Sequence, residues 1–333
     1  MTVKRKGLLL WVLAAIAVLT VALPALTAEH TIKVGTVISE QHVDYITLVD
    51  VFKKIVEDES KGRMKVEIYP NAQLGGDREM IEAVQLGTLE TCLPTPSVIA
   101  GFDKRFSVFE SPYLFDTYEE AFAALNGKLG ALMDSYLAPL GLMNLGYANI
   151  GFRQVLNNKR AIFTPDDMKG LKIRVMEVPV MVDYMKELGA NPTPISYGEL
   201  YTALQQGTVD GNDQPYCMVY DGKIFEVQKY LSETNHFFTS ELFIAGKPFM
   251  DKLPADLREI VVKAGKKYCE VQWGRIVEQN KKDKERIQAA GVKINELTPE
   301  QVQAFKKKAD AVYDKYKDIY GPDVMAIVKE LRK

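Results

Sequence analysis

The sequence predicts an α/β chain of two similar lobes, each a βαβαβ-type sheet flanked by helices, with a cleft between them. An internal repeat carries this reading. The octapeptide Ala83-Val-Gln-Leu-Gly-Thr-Leu-Glu90 returns 120 residues later as Ala203-Leu-Gln-Gln-Gly-Thr-Val-Asp210, with four identities and three conservative changes. Its context returns too. Upstream of the first copy, Lys33-Val-Gly-Thr-Val37 leads to a helical pattern and then Val66-Glu-Ile-Tyr-Pro70. Upstream of the second, Lys172-Ile-Arg-Val-Met176 leads to a helical pattern over Val180 to Leu188 and then Pro192-Thr-Pro-Ile195. Each copy is followed by a proline loop, Leu93-Pro-Thr-Pro96 and Asn212-Asp-Gln-Pro215. Apolar runs alternating with helical periodicity indicate parallel sheets, and clefts between lobes bind small molecules.

The elements follow in order. Ile32–Val37 reads as a strand and Asp44–Glu59 as a helix, with an apolar stripe of Ile46, Val49, Phe52, Ile55 and Val56. Lys61-Gly62 ends that helix. Met64–Tyr69 is the next strand, and Asp77 is the expected N-cap of a helix running to Leu86, where Gly87 stops it. Leu89–Leu93 is a strand. In the second half, Thr164-Pro-Asp-Asp167 starts a helix, with Thr as cap and Pro at the first helical position. Ser196-Tyr-Gly-Glu199 is a capping box for a helix ending at Gly207, and Thr208–Gly211 follows as a strand. Leu242–Ala245 is expected to return to the first sheet. Asp256–Ala289 reads as one long helix bridging the lobes, with Gly265 and Gly274 as possible breaks. Thr298-Pro-Glu-Gln301 caps a helix reaching Tyr316. Lobe one is expected from residues 29–150 plus 240–280, lobe two from 151–239 plus 281–333. Gly146–Gly151 and Phe238–Leu242 are the expected hinge crossings.

The first 28 residues read as a secretory signal peptide. Lys4, Arg5 and Lys6 precede an apolar run from Leu8 to Val21, then Pro24 and small residues up to Ala28, the expected cleavage point for export to the periplasm. The whole chain has 333 residues and a formal charge of −2, and losing the three leader cations makes the body more acidic. A mildly acidic body excludes nucleic acid as a partner, which requires a concentrated basic surface. Cys92, Cys217 and Cys269 form no C-x-x-C pair and read as buried thiols.

Ligands of open α/β sheets bind outside the carboxyl ends of the strands. That rule selects the loops 38–43, 70–77 and 94–97 in lobe one and 174–179, 195–197 and 212–216 in lobe two. Arg174 stands out because its strand is otherwise apolar, and a buried guanidinium needs an anion, either an internal acid or a ligand. Arg153 is a second cation, to be weighed against a plain surface charge. Asn212 and Gln214 offer amides, or merely turn chemistry. Tyr197, Tyr216, Thr95, Gln73 and Asp77 complete the candidate lining. Signals for catalysis are weak: the three histidines lack metal spacing, and no nucleophile elbow or phosphate loop occurs. No cofactor is expected. Asp213 and Glu241 are the one weak pair for a metal ion, or for a general base in an exported enzyme.

The motifs Tyr69-Pro-Asn-Ala-Gln-Leu-Gly75, Gly151-Phe-Arg-Gln154, Asp167-Met-Lys-Gly-Leu-Lys-Ile-Arg-Val175, Pro192-Thr-Pro194 and Val209-Asp-Gly-Asn-Asp-Gln-Pro215 together resemble those of TRAP-transporter solute-binding proteins, the DctP family. The resemblance implies a two-lobe periplasmic-binding-protein fold, a flytrap closing on an organic acid, and a separate TRAP membrane permease as partner. It implies a monomer, with Arg174 pairing the ligand carboxylate and Arg153 assisting. The family usually reads Gln-Glu-Asn-Pro where this chain has Asn212 to Pro215, so Gln214 stands at the ligand-binding asparagine. Sialic-acid-type members carry an acid where this chain has Thr95, which argues against sialic acid. A receptor feeding a sensor kinase is a further alternative.

Overall fold

A computed structural model describes residues 28–332, so the apolar leader lies outside the described part. Two sheets form. The first has the order β2-β1-β3-β10-β4, from Met64–Tyr69, His30–Gly35, Thr91–Cys92, Phe238–Gly246 and Leu142–Phe152. The second has the order β11-β9-β5-β8-β6-β7, from Lys293–Glu296, Tyr230–Glu233, Gln154–Asn157, Gly211–Gln214, Lys172–Val175 and Asn191–Pro194.

The repeat is visible in both sheets. β1 pairs in parallel with β2 and β3, and β6 pairs in parallel with β7 and β8. Each octapeptide closes a helix, Asp77–Leu86 or Tyr197–Gln205, and leads into the third strand. Its last acid does the same work twice. Glu90 accepts from the Lys33 backbone N–H at 3.0 Å, and Asp210 from that of Lys172 at 3.0 Å. The glycines of the motif, Gly87 and Gly207, adopt left-handed conformations (φ 74° and 70°) that end the helices.

Several local expectations are corrected. The helix over 43–59 is wound as a π-helix at Leu48–Lys53, which rotates its apolar face. Leu48, Phe52 and Val56 are buried, while Ile46 and Val49 are 43% and 38% exposed. Asp77 is not an N-cap; Gly76 holds that position and Asp77 opens the helix. Thr164 and Asp167 do form a capping box, but it closes only a 3-10 turn, Pro165–Met168, before β6 begins. Ser196 stands at its N-cap without a side-chain bond. β8 starts at Gly211, so Asn212, Asp213 and Gln214 belong to a strand and not to a turn.

The long helix Ala255–Ala289 is unbroken. Gly265 is there for proximity: a Cβ would stand 2.6 Å from Leu145 Cβ on β4. Further along, Asn280 donates to the Ile150 carbonyl at 2.8 Å and accepts from the Cys217 N–H at 2.9 Å. The helix thus ties β4 to the second lobe. The capping box at Thr298 and Gln301 forms as expected, but its helix extends to Leu331, with a break at Gly321. Tyr313 and Tyr316 on it donate to the Pro112 carbonyl and to Asp183, at 3.0 and 2.8 Å, joining the lobes again. All three cysteines are buried free thiols.

β4 and β10 run as one antiparallel ladder up to Phe152 and Phe238. The chain therefore crosses between sheets at Arg153 and at 234–237, just outside the segments Gly146–Gly151 and Phe238–Leu242 expected from sequence. Gly151 (φ 127°) has another task, since a Cβ there would meet Asn280 Nδ2 at 2.9 Å.

Candidate functional site

The carboxyl ends of β1, β3, β6 and β8 converge on one small cavity of about 40 Å³. Lobe one lines it with Val37, Asp77, Leu93 and Thr95, and the strands linking the sheets add Ile150, Arg153, Thr239 and Glu241. Lobe two adds Arg174, Met176, Tyr197, Gln214 and Met218. Apolar packing of Ile38 and Ile150 with Cys217, Met218 and Ile276 closes the cleft around it. Ser39, after β1, donates through its hydroxyl to Asp221 of lobe two.

Arg174 lies on β6 between β7 and β8, in register with Thr193 and Asn212. Being central, the strand removes the side chain from water, and it is 1% exposed. Nε donates to the Ile195 carbonyl at 2.8 Å, which aims the guanidinium. Nη1 is buried without a partner, and no carboxylate among the described residues forms an ion pair with this side chain. Burial, and then the neighbouring Arg153 cation, push its pKa down to about 10, only partly offset by Asp213, Tyr197 and Asp77. A free, aimed and destabilised cation is what an anionic ligand would relieve.

Arg153 is no surface charge; it is 2% exposed and saturated. Nε and Nη2 donate to the two Asp213 carboxylate oxygens at 2.8 and 3.2 Å, and Nη1 to Thr239 Oγ1 at 3.2 Å. His236 Nε2 stands 3.2 Å from Asp213 Oδ2. Burial opposes the Asp213 charge, but Arg153 and His236 outweigh it and hold the carboxyl well below the usual range. Burial lowers the pKa of His236 and keeps it neutral. With an ionised acceptor at Nε2, the ring proton resides there, and Nδ1 accepts from Thr234 Oγ1 at 2.7 Å. Both interlobe crossings, at Arg153 and His236, are thereby pinned to β8.

This geometry removes Asp213 from the metal or base role weighed above, since its oxygens serve Arg153 and His236. Glu241 is set elsewhere, against Asp44, and burial with Asp44 and Asp77 nearby raises its pKa well above the ordinary value. No three metal-ligating side chains group together among the described residues.

Of the other sequence candidates, Thr95, Asp77, Tyr197 and Gln214 join the arginines at the cavity. Thr95 donates its N–H to Asp77 Oδ2 at 3.2 Å, and burial raises Asp77 to about 6. Three candidates are not brought there. Asn212 is fully buried on β8, with both amide atoms unpartnered, outside the cavity lining. Tyr216 donates to Glu233 at 2.7 Å, and Gln73 is exposed in the loop after β2. Sequence reasoning missed Thr239 on β10 and weighed Glu241 only for a metal ion or a general base, not as ligand lining. The available signal was a lone acid next to the apolar run Leu242–Ala245, the same logic that singles out Arg174.

Comparison with known proteins places this geometry. The family model for bacterial extracellular solute-binding protein, family 7 (DctP) matches residues 34–318. A solute-binding protein of Verminephrobacter eiseniae is 37% identical over 246 residues, 74% of this chain and 73% of that one. The sugar acid binding protein DctPAm of Advenella mimigardefordensis, solved with galactonate, superimposes with a TM-score of 0.88 at 29% identity, covering 92% of this chain and 99% of that one. A TRAP periplasmic solute-binding protein of Sulfurospirillum deleyianum, solved with succinate, gives 0.87 at 31% identity over 92% and 100%.

Proposed function

The chain belongs to the DctP family of bacterial extracellular solute-binding proteins, and from that premise we propose how it works: it captures a small organic acid between its lobes, with Arg174 gripping the carboxylate, and delivers it to a TRAP permease. The observation that carries the reading is the buried, unpartnered Arg174 Nη1 at the interlobe cavity. Related receptors solved with galactonate and succinate support an organic acid as cargo. Arg153 has a positioning role, holding the crossing strands to β8 through Asp213. Gln214, Tyr197, Thr95 and Asp77 face the rest of the ligand. The protein acts as a monomeric receptor without catalysis: the acid and histidine paired at the crossings, Asp213 and His236, are committed to Arg153 and Thr234.

A cavity of about 40 Å³ has room for little more than one water molecule, about 30 Å³. A four- to six-carbon acid therefore requires lobe separation to enter, and its contacts to both lobes favour reclosure. Small-angle scattering of acid-free protein is expected to show a larger radius of gyration than the saturated complex. Identical profiles would indicate a rigid site and count against a flytrap.

The leader is expected to be removed on export to the periplasm. Intact-mass measurement of periplasmic protein should show a chain beginning at Glu29. A mass that includes Leu8–Val21 would indicate a tethered receptor.

A further inference from the structure

The cavity is chemically lopsided. Arg174, from lobe two, brings a guanidinium whose Nη1 has no partner. Lobe one brings two carboxyl groups, Asp77 and Glu241, and each keeps one buried oxygen unpartnered, Asp77 Oδ1 and Glu241 Oε2. Glu241 is 3% exposed and lies between Asp44 and the cavity, so a group in the cavity can reach its free oxygen where bulk water cannot. Arg153 adds no second seat for an anion, because its donors are spent on Asp213 and Thr239. No lysine or histidine lines the cavity.

We propose that the ligand is a monocarboxylate bearing several hydroxyl groups, its carboxylate on Arg174 and its hydroxyls on Asp77 and Glu241, and that dicarboxylates are disfavoured. This narrows the carboxylate-receptor reading and rests on it. A hydroxyl both donates and accepts, so it can satisfy the orphan oxygens of either carboxyl group. A second carboxylate only accepts, and at that end it meets acids and no free cation. Burial raises Asp77 only to about 6, so at pH 7 it remains mostly an anion that repels the second carboxylate. Burial and its acidic neighbours push the Glu241 carboxyl well above its ordinary range, which favours the acid form, a group that both donates and accepts. Thr95 and Gln214 extend the polar wall that would read the remaining hydroxyls.

The test is calorimetric titration at pH 7 of protein freed of bound acid, using C6 aldonates (gluconate and its epimers) against succinate and malate. The tightest aldonate is expected to bind at least about tenfold more tightly than either dicarboxylate. Asp77→Asn should weaken the aldonate and strengthen succinate, closing the gap by about fivefold or more, and Glu241→Gln should weaken the aldonate by about fivefold. A dicarboxylate binding within about tenfold of the best aldonate, or more tightly, overturns the proposal and leaves the carboxylate reading standing. Binding of no acid from either class overturns both. Should either variant melt early, the ranking measured on the parent protein decides alone.

Discussion

Replacing Arg174 by Ala or Lys is expected to weaken ligand binding by about two to four powers of ten while the protein stays folded. Each charge-assisted hydrogen bond contributes roughly 1.5–3 kcal/mol. Losing two of them, at about 1.4 kcal/mol per tenfold, gives that range. Lysine does not rescue, because a point charge cannot reproduce the planar fork that a carboxylate accepts. For the same reason, amides and esters of the true ligand should fail to bind. Stability should respond in the opposite sense. The folded-state pKa of Arg174 is depressed to about 10, so its charge costs stability at every pH below that, and the cost is relieved only as pH rises beyond it. Ligand-free Arg174→Ala should therefore melt no lower than the parent protein. Calorimetric titration with parallel melts at pH 7 measures both effects. Binding within about threefold of the parent would mean that an internal acid balances Arg174 and that the site is read wrongly.

Breaking the Arg153–Asp213 pair should have the largest effect on stability. Both side chains are buried, at 2% and 0% exposure. Truncating one partner strands the other charge, at a cost of about 3–5 kcal/mol. For a chain of this size that corresponds to a melting temperature lower by roughly 5–15 °C. Removing both charges together, as Arg153→Met with Asp213→Leu, should recover most of the loss. The pH dependence has a definite sign. The Asp213 pKa is depressed on folding, so its contribution is complete above the ordinary carboxylate range, near 4, and is lost as pH falls below it. The gap between parent and Asp213→Asn should therefore shrink on acidification from about pH 4 downward. A variant melting with the parent at pH 7 would show that His236 and Thr239 suffice. Arg153→Ala should also cost less affinity than Arg174→Ala, since its donors face protein and not ligand.

What was legible in the sequence was whatever is encoded locally. The octapeptide repeat exposed both three-strand cores, because each copy closes a helix with a glycine and aims an acid at the first strand, Glu90 at Lys33 and Asp210 at Lys172. Arg174 was legible because a lone cation in an apolar strand has few alternatives. What long-range packing decides was not legible. The π-wound turn at Leu48–Lys53 buries Leu48 in place of Ile46 and Val49, while Phe52 and Val56 stay buried as their spacing suggests, and no periodicity count reveals that winding. Asn212, Asp213 and Gln214 look like a turn by composition, yet they form a central strand because Arg153 and His236, both from the crossings, satisfy Asp213. Glu241 reached the cavity only because β10 inserts between β3 and β4.

The central claim is that this cleft holds a carboxylate on Arg174. Native mass spectrometry of protein purified from the periplasm without denaturation tests it most directly, with small molecules identified after release. The account predicts a retained molecule with a free carboxyl group, present in the parent and missing from Arg174→Ala. A retained neutral or cationic molecule, or the same acid retained equally by both proteins, would contradict it.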